Sequence, residues 1–142
     1  RSNLVRRGII QQGVSASCAY CDRALETEVH LFVLCPIARE VWNSVHRWFG
    51  VVSVLPNTLI SLLESFLVPL KRGKGEGIRG MACHDWALWR SRNDRIFSDK
   101  VVTLEEIVDR VKLISWKLLL AKKQNSPCLF YEWNVCPLWC GL

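Results

Sequence analysis

The stretch "CAYCDRALETEVHLFVLC", residues 18–35, holds three of the seven cysteines and one of the three histidines of a 142-residue chain. Cys18 and Cys21 enclose two residues, an interval that lets two thiolates grip one ion from a single tight turn. His30 and Cys35 complete the pattern C-x2-C-x8-H-x4-C. Three sulfurs and one imidazole suit a tetrahedral zinc ion. All four positions are filled by protein, so no place is left for a catalytic water, and the spacing points to one structural Zn2+. Eighteen residues bury too little apolar surface to offset roughly 1–2 kcal/mol per residue of backbone ordering. A zinc ion contributes about 10–16 kcal/mol in small fingers, enough to order such a loop. The competing reading puts Leu31, Phe32 and Leu34 in a buried segment, with His30 and the cysteines incidental to it.

Composition agrees with metal rather than disulfides. No stretch reads as a signal peptide or a membrane span: "LISLLESFLVPL" is interrupted by Ser61, Glu64 and Ser65 and is too short. An intracellular setting, nuclear or cytoplasmic and reducing, is therefore expected, without secretion or membrane attachment. Seven is an odd number, so the cysteines cannot all pair. Both points argue against disulfides. The net charge of +6 favours polyanionic partners, though modestly for this length. A first residue other than methionine, with Met81 the only one, reads as part of a longer polypeptide.

The run "CAYCDRALETEVHLFVLCPIAREVW" resembles the zinc-binding domain near the C-terminal end of plant non-LTR (LINE-type) retrotransposon reverse transcriptases. The features shared are the two-residue cysteine bite, "ET" ahead of "HLF", the step to Cys35, and "CPIAREVW" after it; "LVRRGI" resembles the family's lead-in. This covers about residues 3–48. "WALWRSRNDRIF" and "FYEWNVCPLW" are similar, less specifically, to segments that follow the domain. The resemblance implies zinc ligation by Cys18, Cys21, His30 and Cys35, and a parent polypeptide carrying an RNA-directed DNA polymerase domain as partner. One departure is Asp22, where many knuckles have a glycine in a left-handed turn; aspartate tolerates that backbone better than most residues.

The remainder reads as helix, giving a mainly α fold: a CCHC zinc knuckle module over 1–50, then a helical region over 51–142 with an irregular Trp/Cys tail. Pro36 suits a first helical turn, and Ile37, Val41, Val45 and Trp48 make one apolar stripe over 36–49. Pro56-Asn57 opens a helix over 58–68. "KRGKGEGIRG" is a basic loop lacking the G-x4-G-K-[ST] spacing of a phosphate-binding loop. A third helix, 78–95, places Ile78, Ala82, Trp86, Trp89 and Ile96 near a buried face, with Arg90, Arg92 and Arg95 opposite. In the fourth, Thr103 and Glu106 form a capping box ahead of Leu104, Ile107, Val108, Val111, Ile114, Leu118 and Leu119, to about Lys123. The one β signal is a short strand at 50–54.

Catalytic patterns are lacking. There is no aspartate pair for two magnesium ions, and no H-x-E with P-C-x-x-C of a zinc deaminase. Cys83, His84 and Asp85 are neighbours in sequence, but on a helix adjacent side chains point about 100° apart and do not face one another. The chain by itself is expected not to be an enzyme. Cys128, Cys136 and Cys140 with His84 form a poorly spaced second metal set. Two functions remain. In one, the knuckle with Arg6, Arg7, Arg23 and Arg39 contacts RNA or DNA weakly and with little sequence preference. In the other, zinc is a purely structural or interaction clasp without nucleic-acid contact.

Overall fold

The computed structural model describes residues 1–11, 16–50, 54–62, 64, 77–122 and 127–140. The fold is mainly helical. Its elements are α1 (Ser2–Arg6), a π-helical turn (His30–Leu34), α2 (Pro36–Trp48), α3 (Gly77–Phe97), α4 (Leu104–Lys122), α5 (Phe130–Val135) and a 3-10 turn (Pro137–Cys140). Residues 59–62 and 64 are also helical, within the helix expected over 58–68. Among the described residues there is no strand, only an isolated antiparallel bridge between Ser17 and Leu25. The strand expected at 50–54 and the basic loop fall largely outside the described residues. No helix of the described residues is long and apolar enough to cross a membrane.

Local chemistry sets the helix ends. Cys35 is extended, and Pro36 follows at the first helical position, where its missing N–H leaves no bond unmade. After Phe49, Gly50 takes φ +67°, the left-handed conformation that ends helices and that glycine adopts without a Cβ clash. At α4 the capping box is reciprocal: Thr103 N donates to Glu106 Oε2 at 2.9 Å, and Glu106 N to Thr103 Oγ1 at 3.2 Å. Ile107, Val108, Val111 and Leu119 of its expected stripe are buried, whereas Leu118 is not. In α2 the buried face is Ala38, Val41, Trp42, Val45 and His46, so the stripe is turned slightly from the expected one.

Helix α3 requires a correction. Trp86 and Trp89, expected in the core, are 47% and 48% exposed. The buried side is Cys83, His84, Ala87, Leu88, Ser91 and Arg92. Small and polar residues face inward there because α3 lies close against α4, and the largest apolar side chains do not fit that seam. Arg92, placed on the outer side by the sequence pattern, is buried against Glu26 instead.

The central core joins the cysteine loop to the three longer helices. Cys18, Tyr20, Leu31 and Cys35 pack in one cluster with Ala38, Val41 and Val45 of α2, Cys83, Ala87 and Leu88 of α3, and Ile107, Val108 and Val111 of α4. It runs without a break across the 50/51 division drawn from the sequence. The tail, read as irregular, forms α5 and the 3-10 turn, and buries Trp133 beside Leu119 and Cys128.

Candidate metal centre

The first cysteine turn is built by backbone bonds. Cys18 N donates to Ala24 O at 2.7 Å and Asp22 N to Cys18 O at 3.0 Å, folding residues 18–24 into a tight loop. Asp22 sits at φ +55°, the left-handed position expected of it, and its Oδ1 accepts from Ser17 Oγ. That local bond is one reason aspartate is tolerated there.

The second pair of ligands depends on the π-turn. Thr27 starts the segment: its Oγ1 accepts from His30 N at 3.0 Å and its carbonyl from Leu31 N at 2.9 Å. Cys35 N then donates to His30 O at 2.7 Å, an i→i+5 bond. In an α-helix, residues five apart point about 140° away from each other. The wider turn sets Cys35 over His30 and brings both side chains to one side.

All four predicted ligands come together. Their ligand atoms lie within 4.8 Å of one another, with Cys18 and Cys35 fully buried and Cys21 and His30 partly exposed. Cys18 Sγ and Cys35 Sγ are 3.8 Å apart, and Cys21 Sγ is 3.3 Å from His30 Nε2. A tetrahedral ion with metal–sulfur bonds of ~2.3 Å and a metal–nitrogen bond of ~2.0 Å has edges of about 3.8 Å and 3.5 Å. The donor set fits such an ion. The contact with Cys35 pulls the Cys18 thiol down to about 5, while the same contact and burial push the Cys35 thiol up.

Two side chains tie this loop to the helices, and neither has a motif that announces it. Glu26 is buried, and its Oε1 accepts from Arg92 Nη2 at 2.5 Å and from Arg92 Nε at 3.1 Å. Its Oε2 accepts from Ala19 N at 3.0 Å, and the amino group of Arg1 lies 2.7 Å from Oε1. Burial opposes ionisation of Glu26, but these donors outweigh it and hold the pKa down at about 2. Tyr20 Oη donates to Leu88 O of α3 at 2.6 Å. The sequence signal for the ion pair is no more than a carboxylate inside the ligand loop and an arginine on the expected outer side of a helix.

The arginines named as nucleic-acid contacts stand at the surface, Arg6, Arg7 and Arg23 exposed and Arg39 partly buried. Cys83, His84 and Asp85 form no relay. His84 is fully buried and stacks on Trp42 with ring centroids 3.5 Å apart; among the described residues neither ring nitrogen has a hydrogen-bond partner, and Nδ1 is 3.7 Å from Asp85 Oδ1. Burial pushes its pKa down to about 4 and that of Cys83 up to about 11.

The tail cysteines correct two expectations. Cys128 and Cys140 are disulfide-bonded, with Cα atoms 5.2 Å apart, although disulfides were not expected. The fold brings the ends of a 12-residue separation together through α5, which sequence spacing does not show. Neither His84 nor Cys136 joins them; the third ligand-type group within 4.8 Å is Glu132. Comparison with protein-family models, with curated proteins and with solved structures finds no match to the chain.

Proposed function

We propose that Cys18, Cys21, His30 and Cys35 hold one structural zinc ion in a non-catalytic, nucleic-acid-binding accessory module of the retroelement reverse-transcriptase type. The observation that carries this reading is the convergence of three sulfurs and one imidazole nitrogen within 4.8 Å. Zinc is the first-row ion whose usual structural sites have this donor set and shape. The retroelement context rests on the sequence resemblance, with the polymerase domain of the parent polypeptide as covalent partner.

Nucleic-acid contact is supported by the +6 charge, by the exposed Arg6, Arg7 and Arg23, and by two half-exposed tryptophans one turn apart on α3. Arginines neutralise phosphates without reading sequence, and exposed indoles stack on any base. Single-strand affinity should then fall steeply with salt, with a log–log slope of about −2 to −3 for three or four phosphates at roughly −0.7 each. Arg6→Ala/Arg7→Ala/Arg23→Ala should flatten that slope with zinc retained.

The bond from Tyr20 to Leu88 and the ion pair of Glu26 with Arg92 favour a second reading, in which zinc only clasps the loop to the helical body. Coinciding salt slopes for wild type and the triple variant would select the clasp and remove nucleic-acid contact from the account.

A further inference from the structure

The C-terminal tail carries a second convergence of metal-ligating groups, separate from the knuckle. Cys128 precedes α5, Glu132 lies in its first turn, and Cys140 ends the 3-10 turn. We propose that these three residues form a redox-gated second zinc site: reduced, the two thiolates and the carboxylate bind Zn2+; oxidised, the Cys128–Cys140 disulfide takes its place.

The site is positioned by bonds that do not involve its sulfurs. Trp116 Nε1 donates to Cys128 O at 3.1 Å, fixing the first cysteine to α4. Trp133 Nε1 reaches Lys112 O at 3.0 Å and Ser115 Oγ at 3.1 Å, and Trp48 Nε1 reaches Trp133 O at 3.0 Å. With Trp133 buried, α5 stays docked on α2 and α4 whether or not the disulfide exists. The two cysteines are thus held near one another in both redox states. Their Cα separation of 5.2 Å suits a disulfide, and rotation of the side chains would open the sulfurs toward the ~3.8 Å edge of a tetrahedral site.

Glu132 supplies the third donor. One oxygen, Oε2, accepts from Leu129 N at 2.9 Å, which orients the carboxylate; the other can face the ion. Two thiolates and one carboxylate oxygen leave a fourth position for water, and Cys140 and Glu132 are only partly buried, so solvent and small thiols have access. Metal and disulfide exclude each other because both use the same two sulfurs.

The exchange balances with a glutathione-type disulfide as oxidant. One tail thiolate attacks a sulfur of the oxidant and releases one small-molecule thiolate. The second tail thiolate attacks the resulting mixed disulfide and releases the other. Two electrons pass from the cysteines to the oxidant, the Cys128–Cys140 bond forms, and zinc leaves as the hydrated ion. In reduction one thiolate of a dithiol attacks the Cys128–Cys140 bond, and its second thiolate then attacks the mixed disulfide, freeing both cysteines as the dithiol closes to its own disulfide.

The test is a zinc titration of the full chain, reduced and free of metal, under anaerobic conditions, followed by oxidised glutathione. The expected result is two equivalents bound when reduced. On oxidation, one equivalent should be released as the thiol count, measured after denaturation, falls from seven to five. Cys128→Ser/Cys140→Ser should bind one equivalent in either condition, and Glu132→Gln should weaken the second equivalent at least tenfold. The wild-type comparison needs no substitution, so a poorly folding variant does not remove the test. A reduced wild type that binds no more zinc than Cys128→Ser/Cys140→Ser overturns the proposal, as does an added equivalent that stays bound once two thiols are consumed. Neither result depends on whether the knuckle meets nucleic acid.

Discussion

The two cysteine clusters of this chain reach order by different physics. In the knuckle, three sulfurs and an imidazole converge on a point, and nothing within the protein can bond to all four at once. In the tail, two sulfurs bond to each other, and the surrounding tryptophans satisfy the backbone through their indole N–H groups. In the proposed reading an outside ion ties the four-ligand cluster together, while the tail closes on itself. Burial follows the same division: the Cys18 and Cys35 end of the knuckle is set into the main core, whereas the tail has only a satellite core around Trp133 and Leu119.

The largest expected effect lies in the knuckle. Cys21→Ser or His30→Ala should release its metal and unfold residues 18–35, because one lost ligand forfeits much of the binding free energy and opens the site. Loss of amide protection in this stretch, with α4 still protected, would be the signature in hydrogen exchange. Uniform protection in the metal-free variant would mean the loop is held by its protein contacts alone.

Next come the groups that fix each cluster to the helices. Trp133→Ala should cost about 3–5 kcal/mol through loss of a buried indole. Arg92→Met, leaving Glu26 buried without its guanidinium, should cost about 3 kcal/mol. Both are read from denaturant unfolding of protein with metal bound. If Arg92→Met is silent, Glu26 does not join the knuckle to α3.

Acid should act through two buried groups, His84 of α3 and Glu26 of the cysteine loop. The folded-state pKa of His84 is about 4, below its ordinary 6.5, so the unfolded chain takes up the proton first as pH falls. Its contribution is intact above pH 6.5, declines below that value, and levels off below about 4. The difference corresponds to roughly 3 kcal/mol at most. Glu26, with its pKa held down at about 2, adds a loss that begins below about pH 4.5. His84→Leu, compared with wild type across this range, should shrink the first decline, to which His46, its pKa also lowered by burial, adds a part, and should keep the second. Parallel curves for the two proteins would show that burial of the imidazole carries no such linkage.

The smallest effect belongs to the exposed indoles. Trp86→Ala and Trp89→Ala should each change stability by no more than about 0.5 kcal/mol, against several for Trp133. Their deletion should instead lower single-strand affinity, by about 1–3 kcal/mol for each base stacked. A stability loss at Trp86 equal to that at Trp133 would contradict the observed orientation of α3.

What the sequence reveals follows from how local the cause is. The ligand spacing, the capping box at Thr103 and the start of α2 at Pro36 are written in consecutive residues, and the structure has all three. The four-residue gap between His30 and Cys35 also carries a hint, since it suits no α-helix and is met by a π-turn. The phase of α3 is not local. Its tryptophans dominate any apolar count, but a close helix seam selects Ala87 and Leu88, and a distant carboxylate draws Arg92 inward. The tail is not local either: Cys128 and Cys140 meet across α5, which Trp133 docks on α4.

The central claim is that Cys18, Cys21, His30 and Cys35 together hold one zinc. Metal analysis of the Cys128→Ser/Cys140→Ser protein, which removes the tail cluster from the count, tests it most directly. The expected result is one zinc per chain, lost when Cys21→Ser is added. Well-folded protein of this kind that carries no zinc, or keeps it without Cys21, would show that these four residues do not hold the ion together.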